Sequence, residues 1–344
     1  MKWYIFKISV VIMLLFMSVQ TFAQRKNIVF ESTFENAASI TKWYEKAFLQ
    51  LWSGNIVADH VRVGTGALKV QVIRGLDILN GPRAELGMPP ATAEAEAWYG
   101  FSHFIPKEYT NDPATEVLNQ WQAKPDLDLG EAWRSPPLAL EIKADRYKIA
   151  IRWSDLKITT PESIGVDYLD IAPVEHGVWV DWVFHVKWGS KSGTLQVWKN
   201  GKLILDRINK PIGYNDKLYP YFKAGIYKWE WSTIGTKSTS TDRTYYIDEI
   251  RIGNSAATYD DVFPGPPAVV KNPTLPIVPN SLKVTKDTDG SYIVNFTALE
   301  TVAKPSTFIL YVSPNNGKEF ISAVSNSTIS LEKDKKYTLK FQVK

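Results

Sequence analysis

Trp179-Val180-Asp181-Trp182-Val183-Phe184-His185-Val186-Lys187-Trp188, then Thr194-Leu195-Gln196-Val197-Trp198 and the turn Lys199-Asn200-Gly201-Lys202, decide the fold class. Successive side chains of a strand point to opposite faces, so Trp182, Phe184 and Val186 form an apolar face and Asp181, His185 and Lys187 a polar one. Asn-Gly is the strongest short signal for a two-residue hairpin, because both positions accept positive φ. The same pattern extends outward to residues 67–73, 138–142, 147–153 and 245–252, each alternating or apolar and bounded by Gly, Asn, Asp or Pro. Only residues 37–51 carry fair helical periodicity. Many strands over about 240 residues, without a βαβ rhythm, imply an all-β chain folded as a two-sheet jelly roll or sandwich.

The ends of the chain read differently. It opens Met1-Lys2-Trp3-Tyr4-Ile5-Phe6-Lys7, runs apolar from Ile8 to Val19 and reaches Thr21-Phe22-Ala23-Gln24, the charged, apolar and small-residue order of a secretory signal. Residues 1–23 are therefore expected to be removed and the protein to be secreted, periplasmic or at the cell surface. The apolar run is too short to span a bilayer, and no later segment qualifies. Phe263-Pro264-Gly265-Pro266-Pro267, continuing through Pro273, Pro276 and Pro279, is a stiff extended spacer. These signals predict a main domain over 24–263, a linker over 264–280 and a small C-terminal β-sandwich over 281–344. Strands of that last domain are expected at 281–284, 292–296, 307–312 and 337–343. Of the 13 tryptophans none lies beyond Trp231, which marks the same change of domain.

Composition narrows the chemistry. The chain has no cysteine, which excludes disulfides and a thiol nucleophile and weakens the case for zinc. Its formal charge of +4 falls by two when Lys2 and Lys7 leave with the signal, too little to argue for nucleic acid. A monomer is expected. Three segments carry polar residues at every second position: Arg83-Ala84-Glu85, Gln120-Trp121-Gln122 and Tyr221-Phe222-Lys223-Ala224-Gly225-Ile226-Tyr227. On strands, Arg83 with Glu85, Gln120 with Gln122, and Tyr221 with Lys223 and Tyr227 each emerge on one surface, as the lining of a sugar groove would.

Together with the preceding Asn80-Gly81-Pro82, those segments resemble, in order, the three signature strands of jelly-roll polysaccharide lyases, whose fold is concanavalin-like. The third is close to the alginate-lyase pattern. Gln120-Trp121, Lys124-Pro125-Asp126 and Ser135-Pro136-Pro137-Leu138-Ala139-Leu140 are more similar to the heparin lyase I and glucuronan lyase group. The resemblance runs from about Val29 to Gly253. It implies β-elimination on an anionic uronic-acid polysaccharide: a base removes the C5 proton and an acid protonates the leaving oxygen at C4, giving a 4,5-unsaturated uronate. No cofactor is implied beyond calcium as a structural ion. Arg83 can offer a bidentate fork and Gln120 an amide donor to neutralise the uronate carboxylate. Tyr227 matches the family tyrosine that acts as acid and sometimes as both acid and base. A phenol titrates near ~10 in water, so work as a base needs nearby cations, for which Lys223 is the candidate. Glu85 is expected to orient Arg83.

One position departs from the family pattern: Gln122 stands where a histidine is usual, and glutamine is no proton acceptor. Tyr227 then makes both transfers, another histidine substitutes, or the site is inactive and the protein is a non-catalytic carbohydrate-binding protein for anionic polysaccharide. Of the four histidines, His185 is the first candidate for the groove and His103 the second; His60 and His176 sit near turn residues and read as surface groups. Trp229 and Trp231 are candidates for stacking on sugar rings, whereas Trp121 reads as core. Arg134 is a candidate contact for a second carboxylate. Asp248 and Glu249 are the acids that a calcium ion would use, although neighbours on a strand point to opposite faces. A retaining glycosidase would want paired carboxylates on one strand face, and no convincing spacing of that kind occurs.

Overall fold

The computed structural model describes residues 25–76, 81–90, 92–265, 283–289, 291–297, 302–306, 309–312, 321–325, 329–332 and 334–343. The expected signal and almost all of the expected linker lie outside the described residues. The chain divides into two compact units, Ala23–Ala268 and a second holding Val269–Lys344.

Strands dominate the first unit: β1 (Ile28–Ser32), β2 (Glu45–Ala47), β3 (Gly54–Val57), β4 (Ala67–Ile73), β5 (Arg83–Gly87), β6 (Glu96–Phe104), β7 (Glu116–Gln122), β8 (Leu138–Lys143), β9 (Arg146–Ser154), β10 (Gly165–Pro173), β11 (Trp179–Lys187), β12 (Gly189–Lys199), β13 (Lys202–Tyr214), β14 (Tyr221–Tyr227) and β15 (Asp242–Gly253). They form two layers. One runs β2-β5-β14-β7-β8-β9-β10, the other β13-β12-β11-β6-β15-β4-β3 with β1 beside β15. Strand β13 ties the layers, antiparallel to β12 along most of its length and parallel to Trp153 and Ser154 of β9 at Gly213 and Tyr214. This is the two-sheet jelly roll that the alternation required.

The alternation also decides what fills the space between the layers. Trp182, Phe184 and Val186 of β11 meet Leu140, Trp121 and Phe222 from the facing layer, all buried. Trp121 is fully enclosed, with ring centroids 4.9 Å from Phe184, 5.2 Å from Phe222 and 5.3 Å from Tyr99. Burying one such side chain stabilises the fold by roughly 1.5–3 kcal/mol, so this aromatic cluster anchors both sheets. Asn200 (φ 49°) and Gly201 (φ 80°) make the left-handed turn between β12 and β13.

The helix expected over 37–51 is corrected to a single turn, Ala38–Thr41, followed by β2. An isolated helix of that length is marginal in water. Here Trp43, 1% exposed, packs edge-on to Phe30 at 4.7 Å, and Glu45–Ala47 pairs with Glu85–Gly87 at the sheet edge. In the second unit, five antiparallel strands follow the order Lys283–Lys286, Tyr292–Thr297, Lys336–Val343, Ile321–Ser325, Ile309–Val312, and Val302–Ser306 pairs with Ile329–Leu331.

Candidate active site

The three polar signatures fall on adjacent strands. Lys223 of β14 stands opposite Gly87 of β5 and Gln120 of β7, and Tyr227 stands opposite Arg83 and Val117. Their alternates Ala84, Leu86, Trp121, Phe222, Ala224 and Ile226 point into the core, which sends Arg83, Glu85, Gln120, Tyr221, Lys223 and Tyr227 to the outer face of this layer.

Strand β14 does not keep a simple register. The pairing to β7 shifts between Ala224 and Tyr227, and Gly225 sits there with φ 139°. A Cβ at Gly225 would lie 2.1 Å from the Ala84 carbonyl oxygen. Glycine is thus what lets β14 approach β5 while the bulge aims Tyr227. A Gly225→Ala variant is expected to be destabilised by more than about 1 kcal/mol, because alanine is strained at a positive φ and its Cβ has no room against Ala84. A thermal unfolding curve checks it.

Glu85, 1% exposed, is the hub of the cluster. It accepts from the Gln120 amide at 2.5 Å, pairs with Arg83 Nη1 at 3.2 Å and lies 3.3 Å from Lys223 Nζ. Lys223 also reaches Glu45 at 3.1 Å. Burial works to lower the Lys223 pKa, but Glu85 and Glu45 outweigh it and leave the ammonium above its ordinary value. Burial also raises the Tyr221 phenol. Glu85 therefore neutralises part of the positive charge while fixing where Arg83, Gln120 and Lys223 stand. The Gln120 amide makes this one hydrogen bond among the described residues, so its second N–H and its carbonyl stay available to the groove.

Tyr227 is held from both sides. The Arg83 guanidinium lies 4.1 Å from its ring centroid, and Trp229 follows at 6.1 Å. Gly81, at φ 96°, approaches so closely that a Cβ there would meet the Tyr227 ring edge at 3.0 Å and its hydroxyl oxygen at 3.3 Å. Val117, Ala139 and Ala150 form an apolar floor against which Tyr227 and Trp229 pack.

Several sequence candidates are placed elsewhere. His185 lies on β11 in the other layer, its ring 4.0 Å from Trp98 and its nitrogens bonded to Gln196 and Glu96; this corrects the expectation that it lines the groove. The alternation put it correctly on a polar face, but that face belongs to the opposite sheet. His103 is fully buried, and burial pushes its pKa down to about 3. His60 stacks on Phe104, and His176 is bonded to Pro106 and Asp145. Arg134 is taken up by Glu131 and Asp216 and stacks on Tyr214, which makes it a loop staple instead of an open carboxylate receptor. The Gln122 amide donates to the Ala123 and Arg134 carbonyls and closes the same loop. Trp231 is 8% exposed and belongs to the core, whereas Trp229 stays at the floor. Asp248 accepts from the backbone of Arg62, Val63 and Glu249, while Glu249 accepts from Arg251 and Gly265, so the two acids face different donors. Among the described residues no group of three or more His, Cys, Asp or Glu could hold a metal ion.

The sequence reading missed Glu141, on the same face as Ala139, and the buried Lys228 that follows Tyr227. The alternation of Leu138-Ala139-Leu140-Glu141-Ile142 signalled the first; nothing local signals a buried lysine.

The family described as Polysaccharide lyase matches residues 34–251. Among solved structures, the endo-beta-1,4-glucuronan lyase from the fungus Trichoderma reesei aligns with a TM-score of 0.60 at 19% identity, covering 69% of this chain and 98% of that one. An alginate lyase from Chlorella virus aligns at 0.42 and 12% identity, covering 66% of this chain and 100% of that one. The catalytic domain of a glycoside hydrolase family 131 protein from Coprinopsis cinerea aligns at 0.46 and 13%, covering 70% and 99%. No curated protein sequence matches the chain.

Proposed function

The chain belongs to the polysaccharide lyase family, and from that premise we propose that it is an exported enzyme that cleaves a uronic-acid polymer by β-elimination over the face carrying Tyr227. The observation that carries this reading is the convergence of Arg83, Gln120 and Lys223 around Glu85, with Arg83 stacked on Tyr227, whose hydroxyl makes no hydrogen bond among the described residues. A uronate carboxylate set against Arg83 and Gln120 has its charge balanced by donors already in place, and one donor of that kind is worth about 2.7–4 kcal/mol in the transition state. The glucuronan lyase with the same fold supports a uronate as the reacting unit.

With each histidine engaged elsewhere, Tyr227 is assigned both proton transfers. Ionised, it takes the C5 proton; the C5–H electrons become the C4=C5 double bond and the C4–O bond breaks. The same proton then passes to the departing oxygen. Arg83, stacked on the ring, supplies positive charge at each stage.

The test is ultraviolet absorbance of the conjugated unsaturated uronate while the protein is incubated with glucuronan, alginate, heparin, heparan and chondroitin. Growth of that band on one polymer is the expected result and names the substrate. A polymer that binds without any product would instead support the carbohydrate-binding alternative, with Gln122 in place of histidine as its reason.

A further inference from the structure

Glu141 lies in the same cross-strand row as Arg83 and Tyr227: Tyr227 stands opposite Val117, Val117 opposite Glu141, and Glu141 opposite Lys148. Neighbouring strands are about 4.8 Å apart, so its backbone is ~10 Å from that of Tyr227. Leu140 and Ile142 on either side point into the core, and Ala139 on its own face touches the cluster holding Tyr227 and Trp229. The Glu141 side chain is 3% exposed and has no hydrogen-bond or ion-pair partner among the described residues.

The charged groups around it are committed elsewhere. Arg152 donates to the Pro136 carbonyl at 2.8 Å and the Tyr168 hydroxyl at 3.3 Å, and Lys148 pairs with Asp170 at 3.3 Å. Lys143, on the same strand, is exposed. Glu230, on the segment after β14, holds the Thr115 N–H at 2.7 Å and adds like charge. Burial consequently pushes the Glu141 carboxyl up to about 7, against the pull of Arg152, Lys143 and Lys148. Neither of its oxygens is among the fully enclosed polar atoms that lack a partner, so both reach the outer surface of this layer, and the carboxyl keeps its hydrogen-bonding capacity for something that enters the groove.

We infer that Glu141 is a specificity-determining residue that takes a free sugar hydroxyl beside the reacting uronate and rejects a sulfate or carboxylate there. The inference rests on the uronate-lyase reading above and sharpens it: the substrate carries an unsubstituted hydroxyl at that position. A protonated carboxyl offers one donor and remaining acceptor capacity, the complement of a hydroxyl. A sulfate brings only acceptors and a negative charge toward Glu141 and Glu230.

Glu141→Gln keeps the shape and the neutral hydrogen-bonding character at all pH values. On whichever polymer of the panel is cleaved, wild-type KM is expected to rise about tenfold from pH 6 to pH 8, the cost of losing a donor and gaining a charge, while the pH dependence of kcat that comes from Tyr227 is shared by wild type and variant. The variant's KM should stay flat. At pH 8, where Glu141 is charged, wild type should also prefer the native polymer over the same polymer after chemical O-sulfation, and the variant should narrow that gap. Folding is followed separately. A carboxyl raised from 4.5 to about 7 lowers wild-type stability as pH climbs through that window, so Glu141→Gln should melt no lower than wild type at pH 8. An active variant with the wild-type KM profile and the same discrimination overturns the inference alone. A wild-type protein that cleaves no polymer overturns the lyase reading and this inference with it.

Discussion

A Tyr227→Phe variant is expected to fold as wild type does, bind the polymer with unchanged affinity, and form unsaturated product at no more than about a thousandth of the wild-type rate. The substitution removes one oxygen. The ring keeps its contact with Arg83 at 4.1 Å and its packing against Val117, Ala139 and Ala150, none of which involves the hydroxyl. Since that hydroxyl makes no hydrogen bond among the described residues, nothing structural is lost with it. General acid–base assistance contributes about 10²–10⁴, and a group assigned both transfers belongs toward the upper end. The loss should therefore appear in kcat and leave KM alone, the signature of an interaction made only in the transition state. Polymer binding by the variant, measured by calorimetry, separates this outcome from simple misfolding. Residual activity within tenfold of wild type would assign the chemistry to another group.

The fold and the shared outer face of the three polar signatures were legible because both rest on a period of two. Trp182, Phe184 and Val186 could only be buried together, and Arg83 with Glu85 or Lys223 with Tyr227 could only share a face. Which of the two layers a face belongs to is a different kind of information. His185 satisfies the same alternation as Tyr227 yet stands on the other sheet, since long-range pairing of β11 with β6 and β12 decides that, and no local pattern encodes it. Gln122 and Arg134 illustrate a second limit. Both look like groove donors until the loop after β7 folds back and consumes them. The helix expected over residues 37–51 failed for a related reason: the gain from burying Trp43 and pairing with β5 exceeds what a short helix can offer. The bulge at Gly225 could be named from sequence as a glycine in a strand, but not the contact with Ala84 that requires it.

Lys228→Met is expected to cost about 3–5 kcal/mol of folding stability, the usual consequence of removing one partner from a buried ionic group. Lys228 is fully enclosed; its ammonium donates to the Ala114 carbonyl at 3.0 Å and lies 3.3 Å from both Asp112 and Glu116. Arg243 completes the set, ion-paired with Glu116 at 2.8 Å and donating to the Thr110 carbonyl at 2.7 Å, with its guanidinium over Tyr109. Two acids and two bases balance; without Lys228, two buried carboxylates share one cation. Burial works to raise the Asp112 pKa, but the hydroxyls of Ser238 and Ser240, the Ala114 N–H and Lys228 outweigh it and hold the carboxyl well below its ordinary 3.8. A carboxyl lowered in the folded state contributes stability above its unfolded pKa and loses it as pH falls, so the gap between wild type and variant should shrink below about pH 4. Urea unfolding at pH 7 and pH 3 measures both values, and equal gaps at the two would contradict the ionic account. The same network reaches the active face. The Lys228 N–H bonds the Pro82 carbonyl at 2.9 Å, between Gly81 and Arg83, while Asp112 and Ser238 fasten Trp231 and the segment that carries Trp229. A buried charge cluster at one end of the sandwich thus fixes the two chain segments that grip Tyr227, and the variant should lose turnover even at temperatures where it remains folded.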